Sequence, residues 1–269
     1  MQPPPNHQGL IDRFTAACQQ DERVAAAFLA GSYARGTADT HSDVDLGIIT
    51  TDADHERFAA EKLEFARGLG EALFLEDFGS TQHLFLILSD GTECDITLGR
   101  ESDFRDMNEG AYHVLVDKSG LLDRHVFPWR ARPEVEQREA LRRLLAWFWH
   151  DFGHLVKALE RDELWFAQGE LEILRGLCVN LARLRHNFAD PYTGDEPYFK
   201  VEAAMPAHLL DALRGSFGLL DRASLIRSAG VVLPFYQDAA RELAAAHDLA
   251  YPARLDALFA GRLARLGDS

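Results

Sequence analysis

Apolar positions in the first hundred residues change from helical to strand-like spacing and back. Residues 9–27 carry apolar side chains at helical intervals, which predicts a helix that gives way to a short buried strand at Phe28. The alternating, β-branched run of residues 44–50 (VDLGIIT) predicts a second strand, and DADHERFAAEKLEFARGLGEAL predicts a helix. HLFLILSD, the turn at Gly91 and ECDITLG predict a β-hairpin. Together these elements predict a small mixed sheet with flanking helices.

The pattern becomes helical at Glu134 and stays so almost to the end of the sequence. Apolar residues recur at helical spacing through EVEQREALRRLLAWFWHDFGHLVKALERDEL and WFAQGELEILRGLCVNLARLRHNF. The polar stretch ADPYTGDEPY then predicts a loop, and the last helices are expected over residues 234–266, with Pro252 at a helix start. A helical bundle is therefore expected.

A boundary between the two halves is expected near residue 130. The chain is irregular over residues 101–130 apart from a strand-like patch, HVLVD, and helix breakers accumulate there: Gly120, Pro128 and Pro133. The expected fold class is α+β, with a sheet domain over residues 1–130 and an α-helical bundle over residues 131–269.

The strongly acidic composition disfavours one class of partner. The sequence has 28 Lys and Arg against 43 Asp and Glu, a formal net charge of -15. Nucleic-acid-binding proteins usually display a basic face, whereas an acidic surface attracts cations. We therefore expect no nucleic-acid partner, although solubility alone explains an acidic balance equally well.

Cysteine usage and the N-terminal residues indicate a soluble, cytoplasmic protein. The three cysteines are widely separated and have neither CxxC nor Cys/His ligand spacing, so no disulfide framework is expected. The first residues, MQPPPNHQ, are polar, and no stretch approaches eighteen uninterrupted apolar residues. No membrane association is expected.

The segment GSYARG followed by SDVDL contains the most informative chemistry. Gly31 lets the backbone approach a ligand closely, and Ser32 offers a hydroxyl and an amide at a turn of the kind that binds phosphates. Asp43 and Asp45 lie two positions apart at the start of a strand, so their carboxylates leave the same face and can share hard cations such as Mg²⁺. Arg35 either contacts phosphate or forms a structural ion pair.

Asp95 is the candidate third carboxylate. It lies in an otherwise apolar strand, where a neighbouring strand could present it to the aspartate pair, although a turn or edge position is the alternative. Three carboxylates of this kind can hold metal ions that bind a nucleoside triphosphate and activate a hydroxyl for nucleotidyl transfer.

The Gly-Ser turn and the Asp-x-Asp strand, GSYARGTADTHSDVDLGI, resemble the DNA polymerase beta-like nucleotidyltransferase superfamily, most of all its antibiotic-modifying members. The resemblance covers residues 9 to about 100 and implies that Ser32 contacts terminal phosphates. It further implies that Asp43, Asp45 and Asp95 hold Mg²⁺. Some relatives carry a Glu that serves as base at the third position, so Asp95 leaves the base unassigned.

The helical half resembles the bundle that follows the catalytic domain in aminoglycoside and lincosamide nucleotidyltransferases. In those enzymes the bundle closes over the antibiotic and can supply a base and a phosphate-binding lysine. The resemblance makes Lys157 a candidate for nucleotide binding and Glu170 or Glu172 a candidate for acceptor binding or acid/base chemistry. Each of these side chains has a surface position as its alternative.

Two further groups in the bundle have structural interpretations. Six aromatic residues are expected to form bundle core, with a ligand-binding wall as the alternative: Trp147, Phe148, Trp149, Phe152, Trp165 and Phe166. His150 and His154 have the i, i+4 spacing of metal ligands, but no further ligand motif accompanies them in the sequence, so zinc is not expected.

The expected function is Mg²⁺-dependent transfer of a nucleoside monophosphate, AMP from ATP, to a hydroxyl of a small cationic acceptor such as an aminoglycoside. A lincosamide acceptor, a protein acceptor and a nucleotide-binding module without turnover are the alternatives. The sequence leaves open the identity of the acceptor and which nucleotide base the protein prefers. It also leaves open whether two chains of a homodimer complete one site.

Overall fold

The computed structural model describes residues 3–104, 110–122, 134–188 and 196–267. The chain divides into two compact units, Met1–Arg130 and Ala131–Ser269, which we call the sheet unit and the helical unit. Pro128, Pro133 and most of the polar stretch ADPYTGDEPY lie outside the described residues.

The sheet unit contains one six-stranded sheet and three helices among its described residues. The helices are α1 (Pro5–Gln20), α2 (Gly31–Ala34) and α3 (His55–Arg67). The strands are β1 (Val24–Leu29), β2 (Val44–Thr50), β3 (Ala72–Glu76), β4 (His83–Leu88), β5 (Glu93–Arg100) and β6 (His113–Asp117).

The sheet is mixed, as the sequence predicts, with the strand order β3-β4-β5-β2-β1-β6. β2 and β5 are parallel, and the other neighbouring strands are antiparallel. The predicted hairpin is confirmed as β4 and β5. β5 also pairs with β2, which comes much earlier in the chain. Asp45, the second residue of β2, therefore lies next to the strand that carries Asp95.

The two faces of the sheet have different surroundings. Leu46 of β2, Leu86 of β4 and Ile96 of β5 belong to a large core that also contains Phe14 of α1 and Phe58 of α3. Because side chains alternate along a strand, the residues between these core positions project from the opposite face. That opposite face carries the polar residues of interest and a smaller apolar cluster.

The prediction of a helix over residues 9–27 is wrong at its end. α1 stops at Gln20, and all six residues of β1, VAAAFL, are buried in a strand that begins at Val24. Alanine favours helices in isolation. Here β1 pairs with β2 on one side and β6 on the other, and this burial between two strands overrides the local preference.

The predicted helix after Asp52 is also too long. α3 ends at Arg67, and the following Leu69, Gly70 and Glu71 lead into β3 at Ala72. Gly70 has a φ of 154°, which a helix does not allow. β3 is an edge strand that pairs with β4 alone, so its residues lack the apolar alternation that identifies a half-buried strand.

The helical unit confirms the expected bundle. Its described helices are α4 (Glu134–Glu160), α5 (Leu164–His186), α6 (Val201–Ala204), α7 (Ala207–Arg214), α8 (Arg222–Ala246) and α9 (Ala253–Gly267). Phe148 of α4 stacks on Tyr236 of α8 with ring centroids 3.5 Å apart, and the Tyr236 hydroxyl donates to the Leu145 carbonyl at 3.0 Å. α9 begins directly after Pro252, as predicted.

The expected last helices begin earlier than residue 234. Pro234 lies inside α8, which starts at Arg222 after an Asp221 side chain that accepts from the Ser224 amide. Within the described ranges, no helix combines the length and the apolar character that a membrane-spanning helix requires.

Candidate functional site

The parallel pairing of β2 and β5 brings three carboxylates together. Asp45 and Asp95 are register partners on the two strands, and Asp43 lies immediately before β2. One oxygen from each of the three carboxylates lies within 4.8 Å of the others. Their neighbours Val44, Leu46, Cys94 and Ile96 are buried, which fixes the strands in this register because a shift by one residue would reverse both faces.

The carboxylates repel one another across this short distance. Burial is the largest cause that raises the pKa of Asp45, and the charges of Asp43 and Asp95 raise this pKa further. The charge of Arg35 and the backbone amide of Ser32 act in the opposite direction on the pKa of Asp45. Arg35 itself is exposed, and its side chain forms no ion pair with any residue of the described ranges.

The Gly31–Ser32 turn packs directly on this carboxylate cluster. Gly31 has a φ of 56°, and a Cβ atom at this position would lie 1.6 Å from Asp45 Oδ2. Ser32 is buried, and its hydroxyl has no hydrogen-bond partner among the residues described. The turn therefore needs glycine for two reasons. It also holds the buried Ser32 hydroxyl next to the acids, without a hydrogen-bond partner in the part of the chain that the structure describes.

His83 is a polar residue of this site that the sequence does not predict. Its Nε2 atom lies 2.6 Å from Asp95 Oδ1. His83 begins β4, whose alternate residues Leu84, Leu86 and Leu88 are in the core, so His83 projects from the same face as Asp95. The alternation of HLFLIL carries this information, but only the pairing of β4 with β5 connects His83 to Asp95.

The residues of the cluster fit a divalent cation of the Mg²⁺ type. Hard cations prefer carboxylate oxygens, and three are available here from Asp43, Asp45 and Asp95. The raised pKa of Asp45, caused by burial and then by the two other acids, means that a positive charge at this place would relieve an electrostatic cost. His83 bonds to a ligand carboxylate in the way that outer-shell groups orient metal ligands.

The three bundle candidates have different environments. Lys157 is exposed on α4. Glu170 of α5 is buried, and burial followed by the charge of Asp151 raises its pKa. Glu172 is exposed, but its carboxylate forms an ion pair with the buried Arg175. Glu170 and Glu172 are therefore not equally available to a ligand, because Glu172 is paired with a buried arginine that requires a counter-charge.

The six aromatic residues of the bundle are only partly core. Phe148, Trp149 and Phe152 are buried, as predicted. Trp147, Trp165 and Phe166 are 54%, 83% and 50% exposed, so the prediction of core is wrong for them. Helical periodicity explains the difference, since Trp147 is adjacent in sequence to Phe148 and must leave α4 on another face.

One comparison with known proteins, the family model, assigns the chain to a family. The family model described as "Streptomycin adenylyltransferase" matches residues 6–261. Among solved structures, the chain is similar to an aminoglycoside 6-adenyltransferase from Bacillus subtilis, at 17% sequence identity over 98% of this chain and 99% of that chain, with a TM-score of 0.43. The curated proteins give no significant match. The family match covers both units and carries the assignment.

Proposed function

This chain belongs to the streptomycin adenylyltransferase family, and on that premise we propose that it transfers AMP from ATP to a hydroxyl of an aminoglycoside-like acceptor and releases pyrophosphate. The observation that carries the proposal is the cluster of Asp43, Asp45 and Asp95 packed against the Gly31–Ser32 turn. A family of adenylyltransferases needs such acids, because the reaction occurs between a polyanionic nucleotide and a hydroxyl of low acidity.

We assign the nucleotide chemistry to the sheet unit. Asp43, Asp45 and Asp95 are the residues that would hold Mg²⁺. An ion held there would neutralise phosphate charge and lower the pKa of an attacking hydroxyl. We assign the buried Ser32 hydroxyl to the phosphates of ATP. The Ser32 amide donates to Asp45 and holds that carboxylate beside the turn.

The negative charge of the three carboxylates is compatible with a triphosphate at this turn only when a cation is also bound. Three carboxylates within 4.8 Å of one another would repel free phosphate groups. We therefore propose that ATP binds as its Mg²⁺ complex, and Arg35, which is exposed and close enough to lower the pKa of Asp45, supplies a further positive charge for the phosphates.

We assign acceptor binding to the helical unit. The formal net charge of -15 favours a polycationic acceptor, and the exposed Trp147, Trp165 and Phe166 offer apolar surface of the kind that binds sugar rings. Glu170 stays the candidate for acceptor recognition, and Lys157 stays a candidate for nucleotide binding. The engagement of Glu172 by Arg175 makes Glu172 the weaker of the two acidic candidates.

Mass spectrometry of the acceptor tests this proposal. The protein is incubated with ATP and Mg²⁺ in turn with streptomycin, other aminoglycosides and lincosamides, and each acceptor is examined for the mass of added AMP. We expect modification of an aminoglycoside. Modification of lincosamides alone would overturn the proposal of an aminoglycoside acceptor. Addition of AMP to a protein instead would overturn the proposal of a small-molecule acceptor. ATP binding without modification of any acceptor would indicate a nucleotide-binding module.

A further inference from the structure

A second group of metal-ligating side chains lies in the helical unit, on α4. His150, Asp151 and His154 each offer one ligand atom, and these atoms lie within 4.8 Å of one another. His154 follows His150 by four residues and Asp151 by three, spacings that make it a neighbour of both on the helix surface, and the two imidazole rings have centroids 4.4 Å apart. None of these residues belongs to the carboxylate cluster of the sheet unit.

His150 is oriented by its neighbour. Its Nδ1 atom lies 2.7 Å from Asp151 Oδ1, so the other ring nitrogen, Nε2, is available as a ligand. Metal-binding histidines commonly donate their second ring nitrogen to a carboxylate, which fixes the tautomer and increases the basicity of the ligand. The His150 side chain is 52% exposed, whereas that of Asp151 is 13% exposed, so an ion can reach the histidine from solvent.

Glu170 of α5 lies next to His154 of this group. This residue is only 6% exposed, and its Oε2 atom makes no hydrogen bond within the part of the chain that is described. Its Oε1 atom lies 3.8 Å from His154 Nδ1, too far for a hydrogen bond. A buried carboxylate with an unpaired oxygen is costly, so a partner is expected at this position.

The separation of His154 and Glu170 suits a shared ion. Ligand atoms at about 2.0–2.2 Å from a tetrahedral zinc ion are roughly 3.4 Å apart, close to the separation of Nδ1 and Oε1. One ligand atom each of His150 and Asp151 lies within 4.8 Å of the ligand atom of His154.

We propose that His150, His154 and Glu170 bind a transition-metal ion of the Zn²⁺ type, with Asp151 as a fourth ligand or as the hydrogen-bond partner that orients His150. Neutral imidazole nitrogens with carboxylate oxygens are a preferred Zn²⁺ ligand set, whereas Mg²⁺ prefers oxygen alone. The sequence shows only the two histidines at helical spacing. The packing of α5 on α4 adds Glu170, which is sixteen positions from His154 and follows no local motif.

A cationic amine of an acceptor is the competing occupant. Carboxylates would bind such an amine well, but neutral imidazoles contribute little binding energy to a cationic amine, and two histidines lie in this group. The mutual repulsion of Asp151 and Glu170 contributes, after burial, to the raised pKa of Glu170, and either cation would relieve it. The histidines therefore favour the metal. The proposal does not depend on nucleotide transfer, and it gives Glu170 the role of a metal ligand in place of acceptor recognition.

Direct binding of Zn²⁺ tests the proposal without an activity assay. The full chain competes for Zn²⁺ with a chromogenic chelator. Millimolar Mg²⁺ is present so that sites of hard oxygen ligands are occupied. The absorption spectrum of bound Co²⁺ shows whether nitrogen atoms are among the ligands. We expect one Zn²⁺ per chain. His154→Ala and Glu170→Gln should weaken binding by at least about 10–100-fold, the range seen for loss of groups that support a metal ligand. His208→Ala, which removes an exposed histidine of α7, should leave the affinity unchanged.

Thermal unfolding separates a binding defect from a folding defect. Zn²⁺ should raise the Tm of the native chain and of Asp45→Asn, but leave that of folded His150→Ala/His154→Ala unchanged. Absence of Zn²⁺ binding to the native chain, or equal binding to the double variant, would overturn the proposal. Loss of binding in Asp45→Asn would place the ion at the sheet unit and also overturn it. An aminoglycoside that raises the Tm through Glu170 and His154, where Zn²⁺ does not, would assign the group to the acceptor instead.

Discussion

Asp45 of β2 and Asp95 of β5 are directly paired in a parallel part of the sheet, so two carboxylates project side by side from the same face. Like charges in neighbouring strand positions destabilise a sheet. Asp43 adds a third carboxylate within 4.8 Å, and the buried neighbours of Asp45 leave the strand no alternative register. This arrangement reduces stability locally, and cations held between the carboxylates would remove that cost.

Asp45→Asn is expected to separate stability from activity. The amide keeps the shape of the carboxylate and can still accept from the Ser32 amide, but it removes the repulsion by Asp43 and Asp95. Without metal, the free energy of unfolding should rise by roughly 0.2–1 kcal/mol, and nucleotide transfer should fall by at least about 100-fold. Urea unfolding and transfer assays measure both. Asp12→Asn, on the exposed side of α1, is the control and should change neither. Retained transfer in Asp45→Asn would contradict the assignment.

The stabilising effect of Asp45→Asn should depend on pH. The folded-state pKa of Asp45 is raised, by burial first and then by Asp43 and Asp95, so the folded chain binds more protons than the unfolded chain. Stability therefore falls as the pH rises from the ordinary Asp pKa of about 3.9 through the raised value. Below this window the variant and the native chain should be equally stable, and above it the variant should be more stable. Metal-free urea unfolding across pH tests this, and a difference that is constant or of opposite sign would contradict it.

Gly31→Ala is expected to damage the site, and Gly36→Ala is its matched control. Both glycines have positive φ, 56° and 70°, so alanine should cost each about 1–2 kcal/mol of stability. Only at Gly31 would the new Cβ collide with Asp45 Oδ2; at Gly36 nothing lies within 4 Å of it. Transfer and ATP affinity should therefore fall in Gly31→Ala and be retained in folded Gly36→Ala. Similar activity of the two variants would mean that the close approach of Gly31 to Asp45 has no role in the reaction.

His83→Gln should weaken the site while preserving the fold. The glutamine amide can donate to Asp95 but lacks the ring that holds the present 2.6 Å contact. We expect a loss of about 10–100-fold in apparent metal affinity or turnover, as for other groups that orient a metal ligand. Mg²⁺-dependent ATP binding, measured by calorimetry, supplies a readout besides turnover. His113→Gln, at an exposed position of β6, should have no effect. Equal behaviour of the two variants would show that His83 does not position Asp95.

The main features of the fold could be predicted from the sequence because they depend on long periodic segments. The run of residues 44–50 and the hairpin of β4 and β5 have clear alternation, and α4 and α5 have sustained helical spacing. The end of α1 could not be predicted. The alanines before Phe28 have a helical preference, and only the pairing of β1 with β2 and β6 makes them a strand.

The site was partly predictable for a related reason. Asp43 and Asp45 are two positions apart in sequence, and Asp95 is an acid in an apolar strand. The sequence pattern is therefore enough to identify all three as candidates. His83 needed the register of β4 and β5 as well as the parallel pairing of β5 with β2, neither of which is contained in local spacing. Glu170 and His154 likewise lie close together only because two helices pack, so the sequence shows the two histidines at ligand spacing but not the carboxylate beside them.

Pyrophosphate release tests whether the three-carboxylate site performs adenylyl transfer. The native chain, Asp43→Asn and Asp12→Asn are each given ATP, Mg²⁺ and streptomycin, with other aminoglycosides in parallel. We predict pyrophosphate release that requires an aminoglycoside, is abolished in Asp43→Asn and is retained in Asp12→Asn. Release that persists in folded Asp43→Asn, or its absence with every aminoglycoside while ATP binds normally, would contradict the account.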